Sequence, residues 1–399
     1  MSSWLKNKNI ILAVSGGIAA YKSVELLRLI VKEGANVKVV MTKNSQKFVA
    51  PLTFEALSGQ PVYSDSFESS DDTSIKHIQW AEQADAVIIA PATANIIGKL
   101  ANGIADDALT TFMLAVTSHT ILCPSMNSNM YESYPVQRNL DILEKDGYII
   151  LEPGTGELAC GTAGPGRLPE PAIITDRLLN CLAPKDLKGK NVLVTAGPTQ
   201  EPIDPVRFIS NPSSGKMGFC IARASEQRGA NVVLITGPNS LPDPINVKTV
   251  RIKTAKHMYK AVFEHLSTCD IIIKSAAVSD YRPQKQEKHK VKKNNDEIAL
   301  VLQRNPDILK KIGQIKRDDQ VVVGFAAETE NLEQNAKIKL DEKNLDIIVG
   351  NIVGQDSSGF EADTNIVTFF YKDKPKESFE LMEKNSVAHI LLDRIVEKI

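Results

Sequence analysis

Much that would assign this chain at a glance is missing from it. Its five cysteines, Cys123, Cys160, Cys181, Cys220 and Cys269, are scattered over 399 residues. The count is odd and no CxxC pair occurs, which argues against a secreted disulfide framework and a structural zinc site. HExxH is absent too. The net charge is −1, so no global field draws nucleic acid or an anionic membrane. Nothing approaches the roughly 18 uninterrupted apolar residues of a membrane span. Lys6 and Lys8 before Ile10–Val14 imitate a signal peptide, but the apolar run is short and meets Ser15-Gly16-Gly17 and a charged helix. A cytoplasmic protein without nucleic-acid or membrane partners is expected. GxGxxG, the dinucleotide fingerprint, is also lacking.

What is present is organised around Lys190–Gly218. Asn191–Thr195 reads as a buried strand ended by a Gly-Pro turn. A Pro-rich loop follows, and Ser213-Ser214-Gly215 opens a helix over Gly215–Arg228. A helix entered through small residues aims free N–H groups outward, which makes an anion site. Ser210–Gly218 falls short of GxxxxGK[ST], since Ser210 stands at the first Gly position and Met217 follows Lys216.

That strand–helix–strand unit has a counterpart. Asn9–Val14, Ile18–Glu33 and Asn36–Met41 form one βαβ unit, with Tyr21, Val24, Leu27 and Val31 on one helix face. The two units share wording, EGANVKVVMT at Glu33–Thr42 and RGANVVLITG at Arg228–Gly237. The length suits two domains of about 180–210 residues each. The expected fold is α/β, two tandem doubly wound Rossmann-like domains, 1–182 and 190–399, joined by a linker at 183–189.

Ligands of such sheets bind where strands end. In the first domain three strand ends carry small polar residues. Ser15-Gly16-Gly17 follows the first strand, Thr93-Ala94-Asn95 follows Ala86–Ala90, and Ser125-Met126-Asn127 follows Thr120–Cys123. Thr42 ends the second strand. By topology these ends share one crevice. Pro153–Pro171, with five glycines and four prolines, is a candidate flap over it. Singly, each feature has a plainer reading: a tight turn for the glycine pair, helix packing for His77, a small buried thiol for Cys160.

Taken together, GGIAAYK (Gly16–Lys22), HIQWAEQADAVIIAPATAN (His77–Asn95), PSMNSNMY (Pro124–Tyr131) and ACGTAGPGR (Ala159–Arg167) resemble the flavin-dependent phosphopantothenoylcysteine decarboxylases. The resemblance implies a flavodoxin-like flavoprotein domain. It makes His77 the base, Asn127 the substrate-holding residue and Cys160 the acid. Ser15, Gly16, Gly17, Thr42, Thr93, Ala94, Asn95 and Met126 become contacts of flavin mononucleotide. The family usually has PAMN, and Ser125 replaces that Ala. Loss of CO2 from an amide-linked cysteine needs an electron sink. Oxidation of the thiol to a thioaldehyde by the flavin provides one. His suits removal of the thiol proton near neutral pH, and a flap cysteine can return a proton while water is excluded.

In the second half, AGPTQEPIDPVRFISNPSSGKMG, AAVSDY, KVKK, NPDI and GFAAET resemble the phosphopantothenate–cysteine ligases. In their bacterial form CTP activates the pantothenate carboxylate as an acyl-cytidylate, pyrophosphate leaves, and the cysteine amine attacks. Ser213, Ser214, Gly215, Ala276, Ala277, Asp280, Lys290, Asn305, Pro306, Asp307, Ile308, Phe325, Lys339 and Lys343 carry over as CTP contacts. Arg207 and Asn211 carry over to the acyl-cytidylate step. Lys290 with Mg2+ would stabilise the transferring phosphoryl group; the metal ligands stay open, with Asp280 a candidate. Five lysines in Lys285–Lys293 read alone as a solvated loop or as a lid over a triphosphate. Lys339 and Lys343, at i, i+4 spacing, can converge on one anion.

The two resemblances imply a bifunctional coenzyme A biosynthesis protein, ligase product feeding the decarboxylase. They also imply a homo-oligomer, with decarboxylase trimers in a dodecamer and ligase dimers. Two other classes stay open at this point: a nicotinamide-dependent oxidoreductase, which the missing GxGxxG opposes, and a non-catalytic flavin-binding protein, which the presence of both His77 and Cys160 opposes.

Overall fold

The computed structural model describes residues 4–64, 76–158, 161, 163–291, 299–328, 330–352 and 362–399. The chain folds as two compact units, Ser2–Ala183 and Pro184–Ile399. In the first, β1 (Asn9–Val14), α1 (Ala20–Lys32) and β2 (Asn36–Met41) lead. Then come α2 (Pro51–Ser58), β3 (Val62–Tyr63), α3 (Lys76–Gln83) and β4 (Ala86–Ala92). α4 (Ala94–Ala101), α5 (Ala108–Leu114), β5 (His119–Pro124), α6 (Ser128–Tyr131) and α7 (Tyr134–Lys145) continue. β6 (Ile149–Ile150), the hairpin β7 (Gly154–Glu157) and β8 (Ala163–Arg167), and α8 (Pro171–Leu182) close the unit.

Its main sheet has the order β3-β2-β1-β4-β5-β6, and every pair in it is parallel. The apolar run of β1 explains why. Ile10, Leu12 and Val14 enter one core, with α1 and α8. Ile11 and Ala13 enter the other, with α4, α5 and α7. A strand buried on both faces is the condition for an all-parallel sheet.

The second unit repeats the plan. β9 (Asn191–Ala196), β10 (Gln200–Pro202), β11 (Phe208–Ser210), α9 (Lys216–Gln227), β12 (Asn231–Thr236) and β13 (Lys248–Arg251) come first. α10 (Ala255–His265), β14 (Ile271–Lys274), β15 (Tyr281–Pro283), β16 (Leu302–Arg304), α11 (Ile308–Ile315) and β17 (Val321–Glu328) follow. α12 (Leu332–Glu342), β18 (Ile347–Ile352), β19 (Thr364–Asn365), β20 (Val367–Tyr371), β21 (Glu377–Ser378), β22 (Met382–Glu383) and α13 (Lys384–Val396) complete it. The sheet order is β13-β12-β9-β14-β17-β18-β20-β21. Its last two strands, β20 and β21, run antiparallel to their neighbours and close the sheet as a hairpin.

The shared wording of the two halves has a shared job. Asp85, just before β4, accepts from the Asn9 amide at 2.8 Å. Asp270, just before β14, accepts from the Asn191 amide at 2.8 Å. Asn36 and Asn231 donate their side-chain amides to Asn9 and Asn191 at the same places. Each carboxylate and asparagine thus fixes where three parallel strands begin.

Two details differ from the sequence expectation. The buried face of α1 is Ala20, Ser23, Leu26, Leu27 and Ile30, while Tyr21 is 61% exposed. Ser23 takes an inward place because its hydroxyl donates to the Ala90 carbonyl at 2.7 Å. Residues 184–189 pack on the second unit, with Leu187 wholly buried in its core and Asp186 paired to Arg228.

Candidate functional site

The strand order of the first sheet reverses between β1 and β4, and a crevice forms at such a switch point. The loops there are stitched together. The Ser15 hydroxyl donates to the Pro91 carbonyl at 2.7 Å, and the Thr93 amide donates to Ser15 Oγ at 3.1 Å. Thr93 Oγ1 then caps α4 through the Ile96 amide, so Ala94 and Asn95 form its first turn. Thr42 directly follows β2, and its hydroxyl accepts from the Ser45 amide. The two glycines do different work. A Cβ on Gly16 would lie 2.6 Å from that of Asn44, so Gly16 lets the loop after β2 approach. Gly17 faces a concavity of ≈ 420 Å³ that Tyr21, Lys22, Met126, Asn127 and Arg167 also line.

The flap is the β7–β8 hairpin, and its second strand rests on the segment after β5. The Met126 amide donates to the Gly166 carbonyl at 3.0 Å. Gly166 has φ 138°, and a Cβ there would lie 2.1 Å from the Met126 carbonyl oxygen. Only glycine fits that contact. Asn127 Oδ1 accepts from the Asn129 amide at 2.9 Å and starts α6. His77 falls in α3 by its backbone; its side chain, and Cys160, lie outside the described residues.

The second sheet reverses between β9 and β14. Here too the loops are zipped, by Ala277 N–H to the Gly197 carbonyl at 3.0 Å and Ser279 N–H to Thr199 Oγ1 at 3.1 Å. The Asn211 amide group donates to the Ala277 and Val278 carbonyls. Gly215, in a left-handed conformation, begins α9 with no side-chain cap. It lines a cleft with Ser213, Ser275, Phe325, Asn351 and Asn365. The side-chain carbonyl oxygens of Asn351 and Asn365 are buried there without a hydrogen-bond partner among the described residues.

A neighbouring cavity of ≈ 110 Å³ is far more charged. Lys274, Arg304, Lys339 and Lys343 line it against Asp280 and Asp307, together with Asn305, Pro306, Ile308 and Phe325. Asp307 caps α11 through the Lys310 amide at 3.0 Å and pairs with Lys343 at 2.9 Å. Burial opposes its ionisation, but those two donors outweigh burial and hold its carboxyl below the usual range. Lys339 pairs with Glu328 at 2.5 Å. The two lysines therefore share one cavity, each with its own carboxylate. Among the described residues no cluster of three metal-ligating side chains occurs.

Lys290 stands elsewhere, lining a third concavity with Arg207. Asp204 organises that region. Its carboxylate, fully buried, accepts from the amides of Val206 at 2.7 Å, Arg207 at 2.8 Å and Val291 at 3.1 Å. The Arg207 guanidinium donates back to the Val291 carbonyl at 3.1 Å.

Comparison with known proteins assigns both halves. Residues 1–182 match the Flavoprotein family model, and residues 187–399 match the DNA/pantothenate metabolism flavoprotein C-terminal domain. The coenzyme A biosynthesis bifunctional protein CoaBC of Bacillus subtilis is 48% identical over 98% of this chain and 97% of its own length. Its Escherichia coli namesake is 44% identical over 99% and 98%. The chain belongs to the family of coenzyme A biosynthesis bifunctional proteins. A crystal structure of the C-terminal domain of a CoaBC protein covers 54% of the chain and 97% of its own, at 43% identity and TM-score 0.46.

For this bifunctional coenzyme A biosynthesis enzyme, sequence reasoning overlooks several lining residues. Tyr21 and Lys22 stand on the helix that follows the glycine pair, and Arg167 ends the flap; an apolar-face pattern takes Tyr21 for core and passes over the two cations. Asp204 stands in the Pro-rich loop between Gln200 and Phe208. An acid flanked by Ile203 and Pro205 is a turn former, and here the turn it forms carries Arg207.

Proposed function

We propose that residues 190–399 ligate cysteine to 4'-phosphopantothenate with CTP, and that residues 1–182 decarboxylate the product to 4'-phosphopantetheine, with the joint at Ala183–Pro184. The single observation that carries this is the pairing of family matches over the chain in that order, with a spacious switch-point concavity in one unit and a cationic cavity in the other.

The first concavity fits flavin mononucleotide in size and in chemistry. Ligand pockets run from about 300 to 1,000 Å³, and this one is ≈ 420 Å³. α1 starts beside it; the Ala20 and Lys22 amides already donate to the Gly17 and Ala19 carbonyls, so what the helix start offers a phosphate is the positive end of its dipole. Of the expected contacts Gly17 and Met126 line this concavity, while Ser15, Gly16, Thr42, Thr93, Ala94 and Asn95 stand outside its lining, on the strand-end loops; together they would hold the cofactor, which supplies a hydride acceptor. Asn127 orients the substrate amide, His77 takes the thiol proton, and Cys160 returns a proton to the carbon that has lost CO2. The flap keeps water away from that carbon.

In the ligase, the carboxylate oxygen of phosphopantothenate attacks the α-phosphorus of CTP and pyrophosphate leaves. The cysteine amine then attacks the acyl carbon and CMP leaves. Lys339 and Lys343, with Ser213, Ser214 and Gly215, bind phosphate oxygens. Asp280 with the triphosphate suits Mg2+, which takes one or two carboxylates plus phosphates. Lys290 stabilises the phosphoryl group in the first step. Arg207 and Asn211 hold the acyl-cytidylate in the second. Ala276, Ala277, Asn305, Pro306, Asp307, Ile308 and Phe325 shape the site. We assign a cytoplasmic homo-oligomer, with flavoprotein trimers in a dodecamer and ligase dimers.

The test is mass spectrometry of the products from full-length protein given phosphopantothenate, cysteine, CTP and Mg2+. Phosphopantetheine with CMP and pyrophosphate is expected. Accumulated phosphopantothenoylcysteine would leave the ligase standing and overturn the decarboxylase assignment in flavin-loaded protein. No product from folded, loaded protein overturns both.

A further inference from the structure

β14 is three isoleucines ended by a lysine. Ile271 and Ile273 enter one core of the second unit and Ile272 the other. Alternation therefore puts Lys274 on the face of Ile272, toward α11 and α12. At that point the strand lies beside Gly324 of β17, and the face opens into the cationic cavity.

Lys274 differs from the other lysines there. Lys339 has Glu328 and Lys343 has Asp307. The Lys274 ammonium makes no hydrogen bond or ion pair with any described residue. Four cationic side chains line the cavity against two carboxylates, so an anion is the ligand that completes it. A partly desolvated ammonium with no partner is unfavourable unless something compensates. We propose that Lys274 is a further nucleotide-binding residue of the ligase, taking a phosphate oxygen of the nucleoside triphosphate alongside Lys339 and Lys343. This rests on the reading of the cavity as the nucleotide site.

The surroundings also give the contact a pH dependence. Burial, then the Lys343 charge, bring the Lys274 ammonium down to about 8, while Asp307 and Asp280 pull it up. The other charges of the cavity are Arg304 of β16 and Lys339 of α12. Below that value Lys274 is charged and ready; above it the free enzyme must take up a proton to bind the anion.

Steady-state ligation by the full-length protein tests this, with CTP, Mg2+, phosphopantothenate and cysteine as probes. Lys274→Met is expected to raise KM for CTP roughly 10–100-fold, the loss of a charged hydrogen bond. KM for phosphopantothenate and kcat should stay within a few-fold. Wild-type KM for CTP should climb above about pH 8, and Lys274→Arg should restore binding and keep KM flat there. Lys274→Gln replaces Lys274→Met if the latter does not fold. A wild-type KM and pH profile in either neutral variant overturns the proposal. A wild-type protein that forms no phosphopantothenoylcysteine overturns the ligase reading itself.

Discussion

Both units run their strands in the order three-two-one-four-five-six, and both zip their loops together at the reversal, yet the two concavities are chemically unlike. In the first unit the strand ends carry serine, glycine, threonine and asparagine, and the charged side chains lining the concavity are Lys22, Arg167 and Glu157. In the second, lysines and aspartates crowd a smaller space one strand further along, between β14 and β17. Topology places a crevice; the residues delivered to it choose the ligand. Small groups suit a ring lying against backbone. Facing ammonium groups suit a polyphosphate.

Separating the two halves is the largest effect the comparison predicts. His77→Asn should reduce decarboxylation by about 10³-fold or more and leave ligation alone, since it removes the proposed base. Lys290→Gln should reduce ligation by about 10²–10³-fold and leave decarboxylation alone. Each half-reaction is assayed on the full-length chain with its own substrate. Either substitution stopping both reactions in folded protein would dissolve the division of labour.

Gly166→Ala sharpens the comparison at the level of stability. The added methyl meets the Met126 carbonyl oxygen at 2.1 Å, and φ 138° already disfavours it. A loss of about 3 kcal/mol is expected from clash and backbone strain together. It should appear in the thermal transition of the flavoprotein unit, with decarboxylation impaired and ligation intact. An unchanged melting profile would show that the flap does not rest on the Asn127 segment in solution.

Acid should act on the other unit. His389 of α13 is 7% exposed. Burial, then the Arg228 guanidinium, push its imidazole from 6.5 down to about 4. Its unfolded form binds a proton first, so the second unit loses stability as pH falls through 6.5, and the loss levels off below about 4. Its size is on the order of 3 kcal/mol. The first unit's His119 is exposed. Urea unfolding at pH 7, 5.5 and 4.5 should therefore show the second unit weakening, and His389→Gln should flatten that slope.

Much of this architecture is legible in the order of residues alone. Apolar runs ended by proline, as at Ala90-Pro91 and Cys123-Pro124, announce buried parallel strands and the loops that follow them. The repeated Gly-Ala-Asn announces the second domain, since the same asparagine ties strand starts in each. Other features are hidden for physical reasons. Hydrophobic periodicity reports side-chain type, so it puts Tyr21 and Val31 with Leu27 and passes over Ser23, whose hydroxyl finds a buried carbonyl. Spacing alone puts Lys339 and Lys343 on one anion, but it does not show the carboxylates that hold them. Nor does it show that Lys290 lines a different concavity from Asp280, because distance in space between loops is set by the sheet beneath them.

Asp204 carries the smallest effect and the finest test of what holds the ligase loops. Burial opposes its charge, but the amides of Val206, Arg207 and Val291 and the Arg207 guanidinium keep its carboxyl below the usual range. One carboxylate thus fixes both the turn that carries Arg207 and the backbone beside Lys290. Asp204→Asn keeps the shape but turns one acceptor into a donor that faces an amide. We expect ligation to fall about 10-fold through kcat, because misplaced catalytic groups slow chemistry more than they weaken binding. KM for CTP should hold, since Lys274, Lys339 and Lys343 lie in the other cavity. A loss in KM for CTP with kcat unchanged would instead make the Asp204 turn part of nucleotide binding. Decarboxylation should not move at all, and a fall in it would mean that the unlike concavities are not independent.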